Sequence, residues 1–259
     1  MPQPSATKPL GLPFIELESV DSTNNYARRQ IHADSLPDRQ GLAPHGMAIF
    51  AHEQLAGKGQ WGKVWATEKG ANIILSLIVN PLPLPLGQQF QLSACVAVAV
   101  HEFFVNYAGD ETKIKWPNDL YWQDRKAGGI LIENIVSSGE WTSIAGIGIN
   151  INQTSFHQEI KKPVSLKQIT GKDFNPVELA KELCTVFDKY FIGLIKNGFE
   201  PIYDYYLTHL YKRKETVKLK KGSRIFEAMI EGVSPTGKLI TQHAIREEFD
   251  FGEVEWVIK

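Results

Sequence analysis

The chain has 259 residues, 43% of them hydrophobic and 22% charged, which is enough for one large domain or a large domain with a small appendage. A formal net charge of -1 supplies no bulk positive field for DNA or an anionic membrane, although a local basic patch can still serve a small anion such as a nucleotide phosphate. The longest apolar stretch, around Leu92 to Val100, is far below the roughly 20 residues that a membrane span needs, and Met1 to Lys8 is polar, without the apolar core of a secretory signal.

Only Cys95 and Cys184 can form thiols, and each sits in an apolar, helix-like setting without a CxxC partner. Buried free thiols are expected, with no zinc site built on cysteine, in keeping with a reducing cytoplasm. A soluble cytoplasmic protein is the expectation.

Residues 1–12 read as a loose, flexible tail. Phe14 to Val20 is a short apolar segment, and Asp21 or Ser22 is placed to cap a helix running through Tyr26, Ala27 and Ile31. Pro37, Gly41, Pro44 and Gly46 make residues 33–46 a turn-rich connection. Met47 to His52 reads as a strand leading into a glycine-rich loop, and Asn72 to Val79 as a buried strand stopped by Pro81, Pro83 and Pro85. Residues 88–107 carry helical periodicity. Strands follow at Lys113 to Lys115, Leu120 to Trp122, Gly129 to Val136 and Trp141 to Ile151. Residues 153–175 are mixed loop, with Ser165 opening a short turn. Pro176 begins an amphipathic helix over Val177 to Ile195, and a second helix covers Ile202 to Leu210.

Composition changes near Tyr211. Short alternating segments are then separated by Lys221-Gly222, Ser234-Pro235-Thr236-Gly237 and Gln242-His243, the spacing of a small barrel of about five strands. The boundaries are therefore 13–211 for a large domain and 212–259 for a small β domain. Helices clustered against a mixed, mostly antiparallel sheet, on one side of it, make the fold class α+β; weak βαβ repetition argues against a doubly wound parallel sheet.

Four clusters can carry chemistry. In Gly57-Lys58-Gly59-Gln60-Trp61-Gly62-Lys63, glycines let backbone N–H groups approach an anion, and two lysines add charge. No helix pattern follows to make it a dinucleotide fingerprint, and the Walker lysine–hydroxyl pair is missing; a surface loop with incidental lysines is the plainer alternative. Lys113 to Asp119 fits either an ordinary hairpin turn or a sheet edge that turns Lys115, Asn118 and Asp119 to a ligand. Lys126-Ala127-Gly128-Gly129 enters an apolar strand and either aims an ammonium into a pocket or leaves a solvated hairpin charge. Gly146-Ile147-Gly148-Ile149-Asn150 puts small residues on one strand face, for a flat ligand or for simple packing.

Together with Ser22-Thr23-Asn24 and Gln54, these clusters occur in the order seen in biotin–protein ligases, and over residues 14–152 the chain strongly resembles that family. The resemblance implies a class II synthetase/biotin ligase-like fold with a small C-terminal SH3-like β-barrel. It implies activation of biotin with ATP and Mg2+ to biotinyl-5′-AMP, then transfer to one lysine of a biotin carboxyl carrier protein, as in acetyl-CoA carboxylase. By similarity Ser22, Thr23, Asn24, Gln54, Lys58, Gly59, Gln60, Lys126 and Gly129 fall at the biotin end. Gly57, Gln60, Trp61, Lys63, Lys115, Asn118 and Asn150 fall on the nucleotide side. Lys126, Lys58 and Asp119 are the expected catalytic residues, Asp119 as base for the acceptor amine, and no residue is assigned as a metal ligand.

The familiar form of the loop is arginine-rich. Lys58 and Lys63 stand here where arginine is common, and Gln60 and Trp61 interrupt the basic run. Lysine lacks the bidentate fork, so backbone amides gain weight, and Trp61 is free to cover adenine or biotin. About twenty residues precede Ser22, so the resemblance is to the monofunctional type, without the DNA-binding domain of the bifunctional members, and no DNA partner is expected. Family members often dimerise through the sheet, which leaves a homodimer open. The rival enzyme readings are a lipoate–protein ligase or an octanoyl transferase of related fold, and the rival non-enzymatic reading is a DNA- or nucleotide-binding regulator.

Overall fold

A computed structural model describes residues 8–34, 45–137, 140–156 and 162–257. Most of the turn-rich connection expected over 33–46, and the first seven residues of the expected tail, lie outside the described residues. The chain is already packed before residue 13: Leu10 is buried, its N–H donates to Asp188 Oδ1 at 2.8 Å, and Gly11 N–H donates to Gly46 O. The tail expected to end at residue 12 is thus fixed from about Leu10, because an apolar side chain found a place in the core.

Seven strands form the main sheet: β1 (Phe14–Leu17), β2 (Ala48–Ala51), β3 (Ile73–Val79), β4 (Thr112–Lys115), β5 (Asp119–Trp122), β6 (Arg125–Ser137) and β7 (Glu140–Ile149), in spatial order β1-β2-β3-β7-β6-β5-β4. β1 and β2 pair in parallel and all other neighbours are antiparallel. The sheet is mixed and mostly antiparallel, as the hairpin-rich sequence implied.

Every residue of β3 is buried, which requires cover on both faces. On one face Ile73, Leu75, Leu77 and Val79 join the main core with α2 (Gln89–Ala108) and α4 (Pro176–Asn197). The other face carries α1 (Thr23–Asp34), whose Ala27 and Ile31 pack with Ile49, Ile78 and Ile144. The expectation of helices on one side therefore holds for the larger helices and is corrected by α1, whose apolar residues are too few for periodicity to show which face they cover.

Local chemistry sets the helix ends. Asn175 accepts from the N–H groups of Val177 and Glu178, Pro176 occupies the first turn where its missing donor costs nothing, and Gly198 closes α4 with φ 82°. Ser165 and Gln168 form a capping box for the short α3 (Leu166–Thr170). α2 is apolar nearly all round because it lies beneath the sheet, α4 and α5 (Glu200–Thr208). Cys95 and Cys184 are buried and free, and burial pushes the Cys184 thiol up to about 12.

The C-terminal segment supplies the expected five strands, β8 (Thr216–Lys221), β9 (Arg224–Val233), β10 (Leu239–Gln242), β11 (Arg246–Phe249) and β12 (Glu255–Trp256), in one antiparallel sheet of order β11-β10-β9-β8-β12. Leu219, Ala228, Ile230, Val233, Leu239 and Phe249 belong to the same core as α2 and the main sheet.

One buried polar link ties α2 to the strand that reaches the site. His101 Nε2 lies 2.9 Å from Thr112 O on β4, and Nδ1 lies 3.1 Å from Tyr205 Oη on α5. Burial, aided by His209 and Lys113, holds this imidazole down to about 4, with the Thr112 carbonyl and Glu102 opposing. Because the unfolded chain binds this proton near pH 6.5 and the folded chain does not, stability is expected to fall as pH drops from about 6.5 to about 4. The loss is on the order of 3 kcal/mol over that window. Urea unfolding between pH 4 and 7 measures it, and the slope should shrink in His101→Gln.

Candidate functional site

The α1 face of the sheet is bare along a short strip. Ser76, Gly146 and Leu131 lie in register across β3, β7 and β6, and Gly148 pairs with Gly129 two residues further on. Three glycines there leave a floor without side chains. A Cβ on Gly146 would come 2.4 Å from Asn24 Oδ1, and one on Gly148 would come 2.5 Å from the Trp65 ring. Both positions admit only glycine while Asn24 and Trp65 stay where they are.

At one end of the strip lies a cluster of uncharged polar groups. Ser22, Thr23 and Asn24 are buried at the start of α1. Gln54 Oε1 accepts from Thr23 N–H at 2.8 Å and lies 3.2 Å from Thr23 Oγ1. Ser76 Oγ is shared between Thr23 Oγ1 at 2.7 Å and Asn24 Oδ1 at 2.6 Å. Asn24 Nδ2 donates to Glu133 Oε2 at 2.7 Å, and Arg28 neutralises the same carboxylate at 3.0 Å. The Thr23, Asn24 and Ser76 side chains are all paired, so this part of the cluster is fixed before any ligand arrives.

At the other end is a group of charges. Lys126 Nζ donates to Asp119 Oδ1 at 2.6 Å, and Lys115 Nζ lies 3.9 Å from Asp119 Oδ2. A one-residue bulge places them: Leu120 pairs with Gly128 but Tyr121 with Lys126, so Ala127 is the extra residue. In an unbroken strand Lys126 and Gly129 would point to opposite faces; the bulge turns Lys126 to the face of Asp119. Gly129 leaves room beside the pair, since a Cβ there would lie 3.4 Å from Lys126 Nζ.

Lys115 is buried between the rings of Tyr121 (4.9 Å) and Trp256 (5.2 Å). Loss of water lowers its ammonium to about 8; Asp119 opposes the shift, while Lys126 and Lys63 add to it.

The glycine-rich loop closes on itself. Gly59 N–H donates to Lys63 O, Lys63 N–H to Gln60 O, and Trp65 N–H to Gly57 O, while Lys58 Nζ donates to Asn25 Oδ1 at 2.6 Å. Gly57 is buried against Trp65 O and Gln54 Nε2, where a side chain has no room. Gln60 begins a single 3₁₀ turn, and Lys63 is exposed at its end.

Ser22, Thr23, Asn24, Gln54, Gly57, Lys115, Asp119, Lys126 and Gly129 thus come together around one strip, with Lys58, Gly59, Gln60 and Lys63 on the loop beside it. Three expected residues stand differently. Asn118 Nδ2 donates to Ile130 O at 2.5 Å and holds the β4–β5 turn. Asn150 is buried, and its amide bonds to Lys126 O and Val164 O pin the 163–166 segment against β6. Trp61 turns outward, 72% exposed, and stacks on Phe251 rather than over the strip.

Sequence reading missed Trp65, Ser76 and Glu133. Ser76 is the one polar residue in the run Ile73–Val79 and Glu133 the one charge in Ile130–Val136, so a polar or charged residue interrupting an apolar strand was the available signal. Trp65 stands between the loop and the strip, with Nε1 buried and unpartnered among the described residues and its ring 5.8 Å from Lys126 Nζ. A surface cavity of about 600 Å3 opens elsewhere, beside Lys113, Asp124 and Lys212, and contains none of the expected residues.

Gly148→Ala tests the bare floor. The added methyl is expected to displace Trp65 and cost about 1–3 kcal/mol in urea unfolding, with a changed near-ultraviolet signal from tryptophan.

A sequence profile of the Biotin/lipoate A/B protein ligase family matches residues 17–152, more than half of the chain. The bifunctional ligase/repressor BirA of Bacillus spizizenii is 34% identical over 200 residues, covering 76% of this chain and 59% of that protein. The chain thus spans a little over half the length of that relative. A biotin–acetyl-CoA-carboxylase ligase of Paracoccus denitrificans is 29% identical over 231 residues, covering 86% of this chain and 92% of its own. Among solved structures, the biotin protein ligase from Aquifex aeolicus in complex with biotin and ATP superposes with a TM-score of 0.76 at 26% identity, covering 93% of this chain and 97% of that one. No helix among the described residues is long and apolar enough to cross a membrane. With the matched region running from β1 through the bare strip to β7, the chain belongs to the biotin/lipoate A/B protein ligase family.

Proposed function

We propose that this protein activates biotin with ATP and transfers it to a lysine of a biotin carboxyl carrier protein. The observation that carries the reading is the strip itself, with neutral donors and acceptors at one end, two lysines and a carboxylate at the other, and a glycine floor between. A ureido ring needs both donors and acceptors, and Thr23, Asn24, Gln54 and Ser76 offer both without a charge to desolvate. An apolar chain fits along Trp65 and the glycines, and its carboxylate reaches Lys126.

In the first step a biotin carboxylate oxygen attacks the α-phosphorus of ATP, the bond to pyrophosphate breaks, and biotinyl-5′-AMP forms. Lys126 and Lys115 offset negative charge building on the transferring phosphoryl group, and the loop residues Gly57, Lys58, Gly59, Gln60 and Lys63 enclose the mixed anhydride. In the second step the neutral acceptor amine attacks the acyl carbon, AMP leaves, and Asp119 accepts the amine's proton. Asn118 and Asn150 act by holding the turn and segment that frame the nucleotide side.

Mg2+ belongs to this reading as the partner of the ATP phosphates. A cation bound with ATP would offset charge on its phosphates, and Asp119, beside Lys126 and Lys115, is the carboxylate that would help hold it. Residues 13–211 then act as the catalytic unit and 212–259 as a small unit closing the charged end. Two free buried thiols fit a cytoplasmic location. The lipoate or octanoate alternatives find less support, because a dithiolane or alkyl head gives the four polar groups at the neutral end nothing to bind.

Pyrophosphate exchange into ATP should depend on added biotin and not on lipoate or octanoate; exchange driven by lipoate would overturn the assignment. Lys126→Ala is expected to lower that exchange by about a hundredfold or more, whereas Asp119→Asn should chiefly slow transfer from preformed adenylate to the carrier. The charged form of Lys115 serves phosphate, so kcat/KM for ATP should fall as pH rises through about 8, and Lys115→Arg should move that limb upward.

A further inference from the structure

The loop that carries Lys58, Gln60 and Lys63 meets the C-terminal sheet at one point. Trp61 stacks on Phe251 with ring centroids 5.5 Å apart and planes 29° from parallel. Its ring also rests on Gly252, where a Cβ would lie 2.7 Å from Trp61 Cζ2; Gly252 has φ 86°, so glycine serves both the turn and the contact. Phe251 stands edge-on to Trp116 at 6.2 Å, and the buried Trp116 donates from Nε1 to Gly237 O at 2.9 Å. Trp116 directly follows Lys115, so this aromatic row runs from the loop to the charged end of the strip.

Phe251 sits on a braced turn. Asp250 N–H donates to Glu253 Oε2 at 2.8 Å, Glu253 N–H to Asp250 O at 3.1 Å, and Lys238 pairs with Asp250 Oδ2 at 3.0 Å. The loop's backbone hydrogen bonds close within residues 57–65, and Lys58 Nζ ties its base to Asn25 Oδ1 at 2.6 Å; among the described residues the contact that reaches the C-terminal sheet from the Gln60–Gly62 tip is the Trp61 ring. Trp61 itself is held at φ 57° and ψ 37°, a left-handed conformation that a bulky side chain keeps only where its surroundings impose it.

We infer that Phe251 is a positioning residue for the ligase reaction: by stacking on Trp61 it holds the glycine-rich loop in place over the site before substrate binds. The inference rests on the reading of that loop as the enclosure of activated biotin. A loop ordered in advance does not have to be ordered by the ligand, so the contact acts on affinity and on retention of the adenylate. The bond-making groups, Lys126 and Asp119, lie on β6 and β5 and do not depend on it.

The test uses the full chain with Phe251→Ala, Phe251→Tyr and Gly252→Ala. Phe251 is 42% exposed, so its replacement leaves the core intact. Trypsin cleavage after Lys58 and Lys63, mapped by mass spectrometry without ligand, should quicken in Phe251→Ala and Gly252→Ala and return to the wild-type rate in Phe251→Tyr. In the same two variants KM for biotin and the release rate of biotinyl-5′-AMP should rise about three- to tenfold, the worth of one aromatic stack, with kcat changed less than about twofold. Unchanged cleavage and unchanged KM in Phe251→Ala would overturn the inference, as would a fall in kcat with KM intact. Faster cleavage in variants of a wild-type enzyme that shows no biotin-dependent exchange would uphold the latch and overturn the reading of the loop as a biotin enclosure.

Discussion

The absence of side chains at Gly129, Gly146 and Gly148 is the constraint on which the rest of the site depends. A β-sheet normally covers both faces with side chains at every second position, and here three neighbouring positions on one face carry none. That bare floor lets Asn24 and Trp65 come down onto the backbone, Asn24 against residue 146 and Trp65 against residue 148. It also brings the N-terminus of α1 close enough for Ser76 to bond both Thr23 and Asn24. Polar recognition groups and the sheet are thereby built into one rigid piece, and the opposite face remains free to form the main core with α2 and α4.

The charged end is a balance of comparable terms. At an effective dielectric of about 20, opposite charges about 4 Å apart attract by roughly 4 kcal/mol, and removing an ammonium from water costs several. For Lys115, 3.9 Å from Asp119 and enclosed by Tyr121 and Trp256, loss of water outweighs that attraction, and with Lys126 and Lys63 adding to it the ammonium is lowered to about 8. Lys126 is more open to solvent than Lys115 and has the shorter contact with Asp119. One carboxylate between two lysines lets both stand together in a site with room for more negative charge.

Most of this was legible in the sequence where chemistry is local. Strand β3 is a run rich in β-branched residues, α4 announces itself by Pro176, and the five C-terminal strands follow from their turn residues. The order of Ser22-Thr23-Asn24, the loop, Lys115 to Asp119 and Lys126 to Gly129 carried the family. What was not legible depends on register. The bulge at Ala127 has no composition of its own, and it alone decides that Lys126 faces Asp119. Ser76, Glu133 and Trp65 matter because of what lies across the sheet from them, which spacing along one strand does not reveal. Asn150 was placed on the nucleotide side by resemblance; it lies just past the end of β7 at Ile149, and its amide is spent on the carbonyls of Lys126 and Val164, partners that spacing along one strand does not reveal.

The break in composition at Tyr211 marks a change in patterning rather than a change of core. Leu219, Ala228, Ile230, Val233 and Leu239 pack with α2 and the main sheet, Tyr203 Oη donates to Val233 O at 2.6 Å, and Arg213 reaches back to Leu207 O at 2.9 Å. A chain ended at residue 211 would leave the apolar surface of α2 and α5 in water and take Trp256 away from Lys115. Removing that ring would return water to the ammonium and raise its proton affinity toward the ordinary lysine value. The small sheet therefore acts on the site through solvent exclusion as well as through contact: the electrostatics at the charged end belong jointly to β4 and β5, which carry the charges, and to β12, which keeps them dry.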